Sequence, residues 1–352
     1  MSASGPANYE YVVARIRHRR AGLFGDDEYR KLLRMGTGEI ARFMEDSTYK
    51  DAVDSLASRH RGMDLVEYAL NEGLAAEFDA LLSWSEGRLY DQLAKYLRKF
   101  DAWNVKTVFR GLYSHADTDA VRADLVDAGE FDAAFLDELL SADSVETVVD
   151  ALSGTIFDTY LEPAFADYED EDSLVPLENA VDRAYYENLN PSQPATAAQD
   201  SPEALYAEFL TAEIDFRNAR NALRLARSGV SVDPAAYFIE GGTLFEASEM
   251  TTLVERQSDL VSRIQDSTYG DELSTALTAL EESDSLIGFE HALDRALLSY
   301  SDHLSYVYPT SVCPVLAYVL AKEREVDNIR AIARGREAGM SEDEIQAELV
   351  ML

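Results

Sequence analysis

The 352-residue chain has a single cysteine, Cys313, and only six lysines, at positions 31, 50, 95, 99, 106 and 322. One thiol excludes an internal disulfide and a thiolate cluster for a metal, and it fits a reducing compartment. No run of 18 or more uncharged apolar residues is present, so no membrane-spanning helix is predicted. The short polar segment Met1–Asn8 gives no expectation of a secretion signal. Alternating strand patterns are nearly absent. There is no Gly-x-x-x-x-Gly-Lys-Ser/Thr loop to cradle phosphates, so nucleotide hydrolysis is not expected of this chain. His18, His60, His115, His291 and His303 lack a His-x-x-x-His spacing and read as surface or packing residues. Asp167–Asp172 offers carboxylates without the glycine and spaced ligands of a calcium loop. No catalytic group, cofactor or metal is expected.

Negative charge is what the chain has in excess, with 66 acidic against 31 basic residues and a formal charge of −35. The acids are spread over the polar faces of amphipathic segments, and 47% of residues are hydrophobic, so the charge belongs to a folded surface and not to a disordered tail. This composition resembles that of proteins from salt-accumulating halophiles. It also makes nucleic acid a poor partner, because phosphate binding needs clustered Lys and Arg.

Apolar residues recur at helical spacing, as in Phe78, Leu81 and Leu82, then Leu89, Leu93, Tyr96 and Leu97. The class is all-α. Ser341 with Glu344 reads as a capping box, Asp233 before Pro234 as an N-cap, and Cys313 beside Pro314 as a small buried residue at a helix start. The acidic stretch Pro163–Pro176 and the segment Asn190–Pro202 read as loops.

An internal repeat is the most informative feature. Asp101-Ala-Trp-Asn104-Val-Lys106-Thr-Val-Phe-Arg110 recurs as Asp215-Phe-Arg-Asn218-Ala-Arg220-Asn-Ala-Leu-Arg224, and again as Glu325-Val-Asp-Asn328-Ile-Arg330-Ala-Ile-Ala-Arg334. The spacing of the asparagines is the size of a small domain. A reduced copy without the Asn opens the chain at Val13-Ala14-Arg15. Glycines follow in the same order, at Gly36, Gly129 and Gly241-Gly242. Next come Asp46-Ser47-Thr48-Tyr49, Asp143-Ser144-Val145 and Asp266-Ser267-Thr268-Tyr269, each read as starting a helix. Upstream of the second and third Asn helices, Leu177-Glu-Asn-Ala-Val-Asp182-Arg183-Ala matches Phe289-Glu-His-Ala-Leu-Asp294-Arg295-Ala.

With these three helices and the elements between them, essentially the whole chain resembles the C subunit of archaeal-type ATP synthases, in the family of the vacuolar ATPase d subunit. The resemblance implies three similar helical domains with pseudo-threefold symmetry forming a funnel, with approximate bounds 1–113, 114–227 and 228–352. It implies a non-catalytic rotor role at the cell membrane, peripheral and on the cytoplasmic side. The implied partners are the D and F subunits of the central stalk and the proteolipid (K) ring, with no direct membrane insertion. The alternative is a helical-repeat scaffold for another cytoplasmic partner, which a repeat of 34 or 40 residues would favour.

On a helical wheel the acids Asp101, Asp215 and Glu325 fall beside the apolar stripe, with Asn104, Asn218 and Asn328 on the same flank and Arg110, Arg224 and Arg334 opposite. Such buried acids need partners. They either lock helices inside each domain or face the shaft, and the threefold recurrence favours the first. Arg183 and Arg295 are the expected ion-pair partners. For the surface as a whole, repulsion among the acids is screened over roughly 10 Å at 0.1 M salt and roughly 3 Å at 1 M. The thermal midpoint of the isolated protein, followed by circular dichroism, is therefore expected to rise as KCl increases from 0.1 M towards multimolar values; a constant midpoint would exclude surface repulsion as the limit on stability.

Overall fold

The structure, a computed structural model, describes residues 6–171, 173–189, 201–228, 233–267, 269–270, 273–274, 277–278 and 287–350. Among them there are helices and no strand, which bears out the all-α class. In chain order they are α1 (Tyr9–Arg20), α2 (Asp26–Leu32), α3 (Thr37–Glu45), α4 (Lys50–Leu56), α5 (Gly62–Trp84), α6 (Gly87–Leu97), α7 (Lys99–Ser114), α8 (Thr118–Ala123) and α9 (Ala133–Ser141). There follow α10 (Val145–Ala151), α11 (Asp158–Glu171), α12 (Val175–Leu189), α13 (Pro202–Ser228), a 3-10 turn at Pro234–Tyr237, α14 (Ala247–Glu255), α15 (Gln257–Gln265), α16 (Ile287–Val307), α17 (Cys313–Glu337) and α18 (Glu342–Ala347).

The apolar stripes become the core. Leu89, Leu93, Tyr96 and Leu97 of α6 are buried, as are Ala102, Val105, Val108 and Phe109 of α7 and Phe216, Ala219, Ala222 and Leu223 of α13. Each fully buried Leu or Phe contributes roughly 1.5–3 kcal/mol. End signals act as read: Ser341 and Glu344 form the capping box of α18, the Asp233 carboxylate accepts from the Ala235 N–H, and Cys313 is buried at the start of α17.

The Pro163–Pro176 stretch is not a loop. Helix α11 runs through Pro163 to Glu171, and α12 begins at Val175. Pro163 forfeits one main-chain hydrogen bond, yet Leu161 and Ala164 on either side are buried, and Phe165 stacks on Tyr168 one turn later, with ring centroids 5.9 Å apart. Pro176 is in the first turn of α12, where the missing N–H has no intrahelical acceptor to lose. Of the Asn190–Pro202 segment, residues 190–200 lie outside the described residues, and Pro202 begins α13.

The chain forms two compact units, Met1–Tyr185 with Tyr318–Leu349, and Tyr186–Ala317 with Val350–Leu352. In the first unit the last part of α17 is built into the beginning of the chain. The Tyr318 hydroxyl donates to Glu77 of α5 at 2.9 Å, and Arg336 Nε donates to the Met35 carbonyl at 3.1 Å. In the second unit α13 packs against α14, α15 and α16 through Phe216, Phe245, Met250, Leu260, Ile264 and Phe289.

Candidate functional site

Each repeated acid sits against a glycine turn. Asp101 of α7, 2% exposed, accepts the main-chain N–H groups of Glu130 and Phe131 at 2.8 and 3.0 Å. Asp215 of α13 accepts those of Thr243 and Leu244 at 2.7 and 2.8 Å. The residue before each donor pair is Gly129 or Gly242, where an added Cβ would lie 2.0 or 2.3 Å from the carboxylate Oδ1. These glycines are needed because the carboxylate occupies the place of a side chain. In the third copy Glu325 of α17 accepts the Phe24 N–H, after Gly22-Leu23. The longer side chain relaxes the constraint: a Cβ on Gly22 would meet nothing closer than Thr48 Cγ2 at 3.3 Å.

The asparagines pin the chain just upstream of those turns. Asn104 donates to the Val126 carbonyl at 2.8 Å and accepts the Val126 N–H at 2.9 Å; Asn218 makes the same exchange with Ile239 at 2.9 and 3.0 Å. Both ends of each buried amide are satisfied. Asn328 is also buried and is hydrogen-bonded to the Tyr29 hydroxyl.

An aromatic turn closes the cradle from the other side. Ser47 Oγ donates to the Met44 carbonyl and accepts the Tyr49 N–H, and the Tyr49 hydroxyl donates to Glu325 at 2.8 Å. Ser267 and Tyr269 repeat this turn, with the Tyr269 hydroxyl donating to Asp215 at 3.2 Å. In the first copy the turn is Thr155–Phe157, where Thr155 Oγ1 donates to the Leu152 carbonyl and accepts the Phe157 N–H. This corrects the expected match to Asp143-Ser144-Val145: Ser144 caps the start of α10, whereas Asp46 and Asp266 terminate α3 and α15. Gly36 likewise opens α3, and Gly22 takes the turn position. Asp-Ser pairs suit both ends of a helix, so sequence order alone misassigned them by one element.

The compensation therefore differs among copies. Phe157 brings no hydroxyl, and burial lifts the Asp101 carboxyl to about 6 against its main-chain donors. Burial also raises Asp215, opposed by the Thr243 and Leu244 N–H groups and by the Thr243 and Tyr269 hydroxyls. Among the described residues Glu325 is the one of the three acids with a direct ion pair: Lys322 Nζ is 2.6 Å away, 3% exposed, and 3.9 Å from the centroid of the Tyr49 ring.

The contacts described above for the repeated acids involve neither Arg183 nor Arg295, the expected partners. The Arg183 guanidinium stands 5.9 Å from the Tyr160 ring centroid, and Arg295 is exposed. The acid before each arginine is the one engaged, because the next residue on a helix is turned about 100° away. Lys106 pairs with Asp182 at 2.5 Å and Arg110 with Glu178 at 2.6 Å; Arg220 pairs with Asp294, and Arg224 with Glu290 at 2.5 Å. In the third copy Arg330 bonds Glu67 at 2.8 Å and the Asn71 side-chain oxygen at 2.6 Å, while Arg334 bonds Glu67 and Asp124.

Val66-Glu67 to Asn71 of α5 is thus the missing third match to the Leu177 and Phe289 segments. It lies at the other end of the chain from its Asn helix, as do Gly22 and Tyr49. The opening Val13–Arg15 segment belongs to α1, which leads into the Gly22 turn and is not a fourth Asn helix. One signal was available: Gly111 against Val121 in α8 and Gly335 against Ile345 in α18 share one offset, as do the caps Asp117 and Ser341. Among the described residues no group of three or more His, Cys, Asp or Glu is placed to hold a metal, and no helix is long and apolar enough to cross a membrane.

Glu325→Ala strands the buried Lys322 ammonium, a change that typically costs about 3–5 kcal/mol. Arg224→Ala removes a pair whose arginine is 56% exposed, and should cost less than about 1 kcal/mol. Urea unfolding in high KCl checks the contrast; equal losses would contradict it. For Asp101 the unfolded carboxyl titrates near roughly 3.9 and the folded one at about 6. The folded state therefore holds the proton more tightly, and its ionised form is disfavoured above both values. Relative to Asp101→Asn, the wild type should lose stability as pH rises from about 4 to 6, approaching roughly 3 kcal/mol. A flat difference would mean that the N–H donors outweigh burial.

A family profile described as ATP synthase (C/AC39) subunit matches residues 12–348. The chain is 60% identical to the A-type ATP synthase C subunit of Haloferax volcanii over 352 residues, covering all of both chains. It is 58% identical to that of Halorubrum lacusprofundi over 351 residues, again covering all of both, and 38% identical to that of Methanococcoides burtonii over 347 residues, 98% of this chain and 95% of the relative. The long polar helices, their glycine turns and the partner acids all fall within the matched span, and the chain belongs to the family of ATP synthase C/AC39 subunits.

Proposed function

We propose that the chain is a non-catalytic component of the central stalk of a rotary archaeal- or vacuolar-type ATP synthase. It couples the shaft made by the D and F subunits to the proteolipid ring during proton-driven ATP synthesis, as a peripheral component on the cytoplasmic face of the membrane. The observation that carries this reading is the full-length likeness to the A-type C subunit of Haloferax volcanii. The repeated polar helix supports it indirectly. Its acids and amides are engaged within each copy by directional hydrogen bonds, and buried polar networks that are fully satisfied rigidify a fold. A part that transmits torque must hold its shape under load.

We further propose three modules about a pseudo-threefold axis, each built on its Asn helix. In place of the expected bounds 1–113, 114–227 and 228–352, the first would run from α6 to α12 and the second from α13 to α16, with the third joining α17 and α18 to α1–α5. In this arrangement the repeated polar residues serve the fold, and partner contacts are made by other surfaces.

Affinity purification of the tagged chain from salt-rich membranes tests the coupling role. Co-purification of a small proteolipid with two stalk subunits is expected. Recovery with unrelated soluble proteins and no synthase subunits would overturn the assignment.

A further inference from the structure

Helix α1 departs from the charge of the rest of the chain. Its 12 residues hold Arg15, Arg17, His18, Arg19 and Arg20 against one acid, Glu10. Basic residues in a last helical turn complement the helix dipole, which accounts for Arg17 to Arg20 but not for Arg15 in the middle of the helix. Buried Val12, Val13 and Ile16 hold α1 to the protein, and the opposite face leaves Tyr11, Ala14, Arg15 and His18 exposed.

Arg15 is held in place without a carboxylate. Its guanidinium carbon lies 4.8 Å from the Tyr11 ring centroid and 4.8 Å from that of Trp84, and Arg19 stands 5.6 Å from the same Trp84 ring. The Asn8 side chain fixes this junction, donating to the Trp84 carbonyl at 2.8 Å and accepting the Glu86 N–H at 3.0 Å. Arg19 is spent on Glu77 at 3.3 Å, whereas Arg15 has no acceptor among the described residues. A cleft of about 700 Å³ opens beside these side chains.

A guanidinium gripped by rings keeps its planar fork of N–H donors free, and that fork fits a bidentate carboxylate. The ring edges and Ala14 offer apolar contact beside it. On a surface of charge −35 an acidic partner is repelled elsewhere, so this cleft also sets where such a partner lands. An extended anionic bilayer would face the whole negative surface at once, which disfavours a lipid headgroup as the occupant.

We propose that the cleft between α1 and Trp84 docks an acidic segment of a protein partner, with a carboxylate held bidentate by Arg15 and a neighbouring apolar side chain against Tyr11 and Trp84. This goes beyond the coupling role and stands whether or not that role does, because the cleft specifies the chemistry of the segment and not its owner.

The test is photo-crosslinking in cells, with Ala14→p-benzoylphenylalanine in the full-length chain and adducts mapped to the residue by mass spectrometry. Adducts should fall in one polypeptide segment within a helical turn of an Asp or Glu. They should drop about tenfold when Arg15→Glu is added, as expected for loss of one charge-assisted contact of this kind. Arg15→Gln, which preserves length and removes charge, should lower them in the same direction, and an unchanged thermal midpoint identifies variants that have folded. Adducts on lipid only, polypeptide adducts insensitive to both Arg15 substitutions, or no adducts above the unirradiated control would each overturn the proposal.

Discussion

A carboxylate taken out of water must find its compensation within reach, and in each copy it finds it in the main chain it packs against. This one contact carries several constraints. Asp101 and Asp215 fix their turns by accepting consecutive N–H groups, and the turns in return exclude any side chain at Gly129 and Gly242. Asn104 and Asn218 hold the residues just before the turn, so the chain enters it in one register. Acid, amide and glycine act as a unit: loss of any one leaves a buried polar group without a partner or a side chain without space.

The three copies satisfy the same requirement with different chemistry. Two N–H donors serve Asp101, hydroxyls from Thr243 and Tyr269 are added for Asp215, and Glu325 takes a tyrosyl hydroxyl and an ammonium. The longest acid occurs where the turn comes from the far end of the chain, and its extra methylene spans a gap that in the other copies is closed by direct contact with glycine. A buried Lys322–Glu325 pair joins residues one helical turn apart, so neither charge depends on the chain ends for its partner. Tyr49 then ties that pair to the N-terminal part of the same unit.

The helices and their apolar faces were legible because helical periodicity is local, and so were the three Asn helices, whose residue types recur at fixed offsets. The partners of those residues were not. Asp182 and Arg183 are adjacent in sequence, and only the rotation of α12 decides which one meets Lys106. Thr155-Ile-Phe157 performs the task of Ser47-Thr-Tyr49 with only the hydroxyl and the aromatic ring in common, so matching letters led to Asp143-Ser144 instead. Glu67 and Asn71 escaped because the third copy's second helix precedes its first along the chain, against the order of the other two copies.

Each basic ladder has one rung in solvent and one shielded from it. Arg110, Arg224 and Arg334 are at least half exposed on the side chain, while Lys106, Arg220 and Arg330 are mostly covered. Salt screens the outer rungs strongly and the inner ones little. As ionic strength rises, repulsion among the surface acids and attraction at the outer rungs weaken together, while the inner rungs and the buried cradles keep their strength. A fold held by the covered contacts gains from that exchange, since what salt removes is chiefly the cost of a −35 surface. Placing the polar repeat inside, with its acids on main-chain donors instead of solvent-exposed cations, leaves those contacts little dependent on salt.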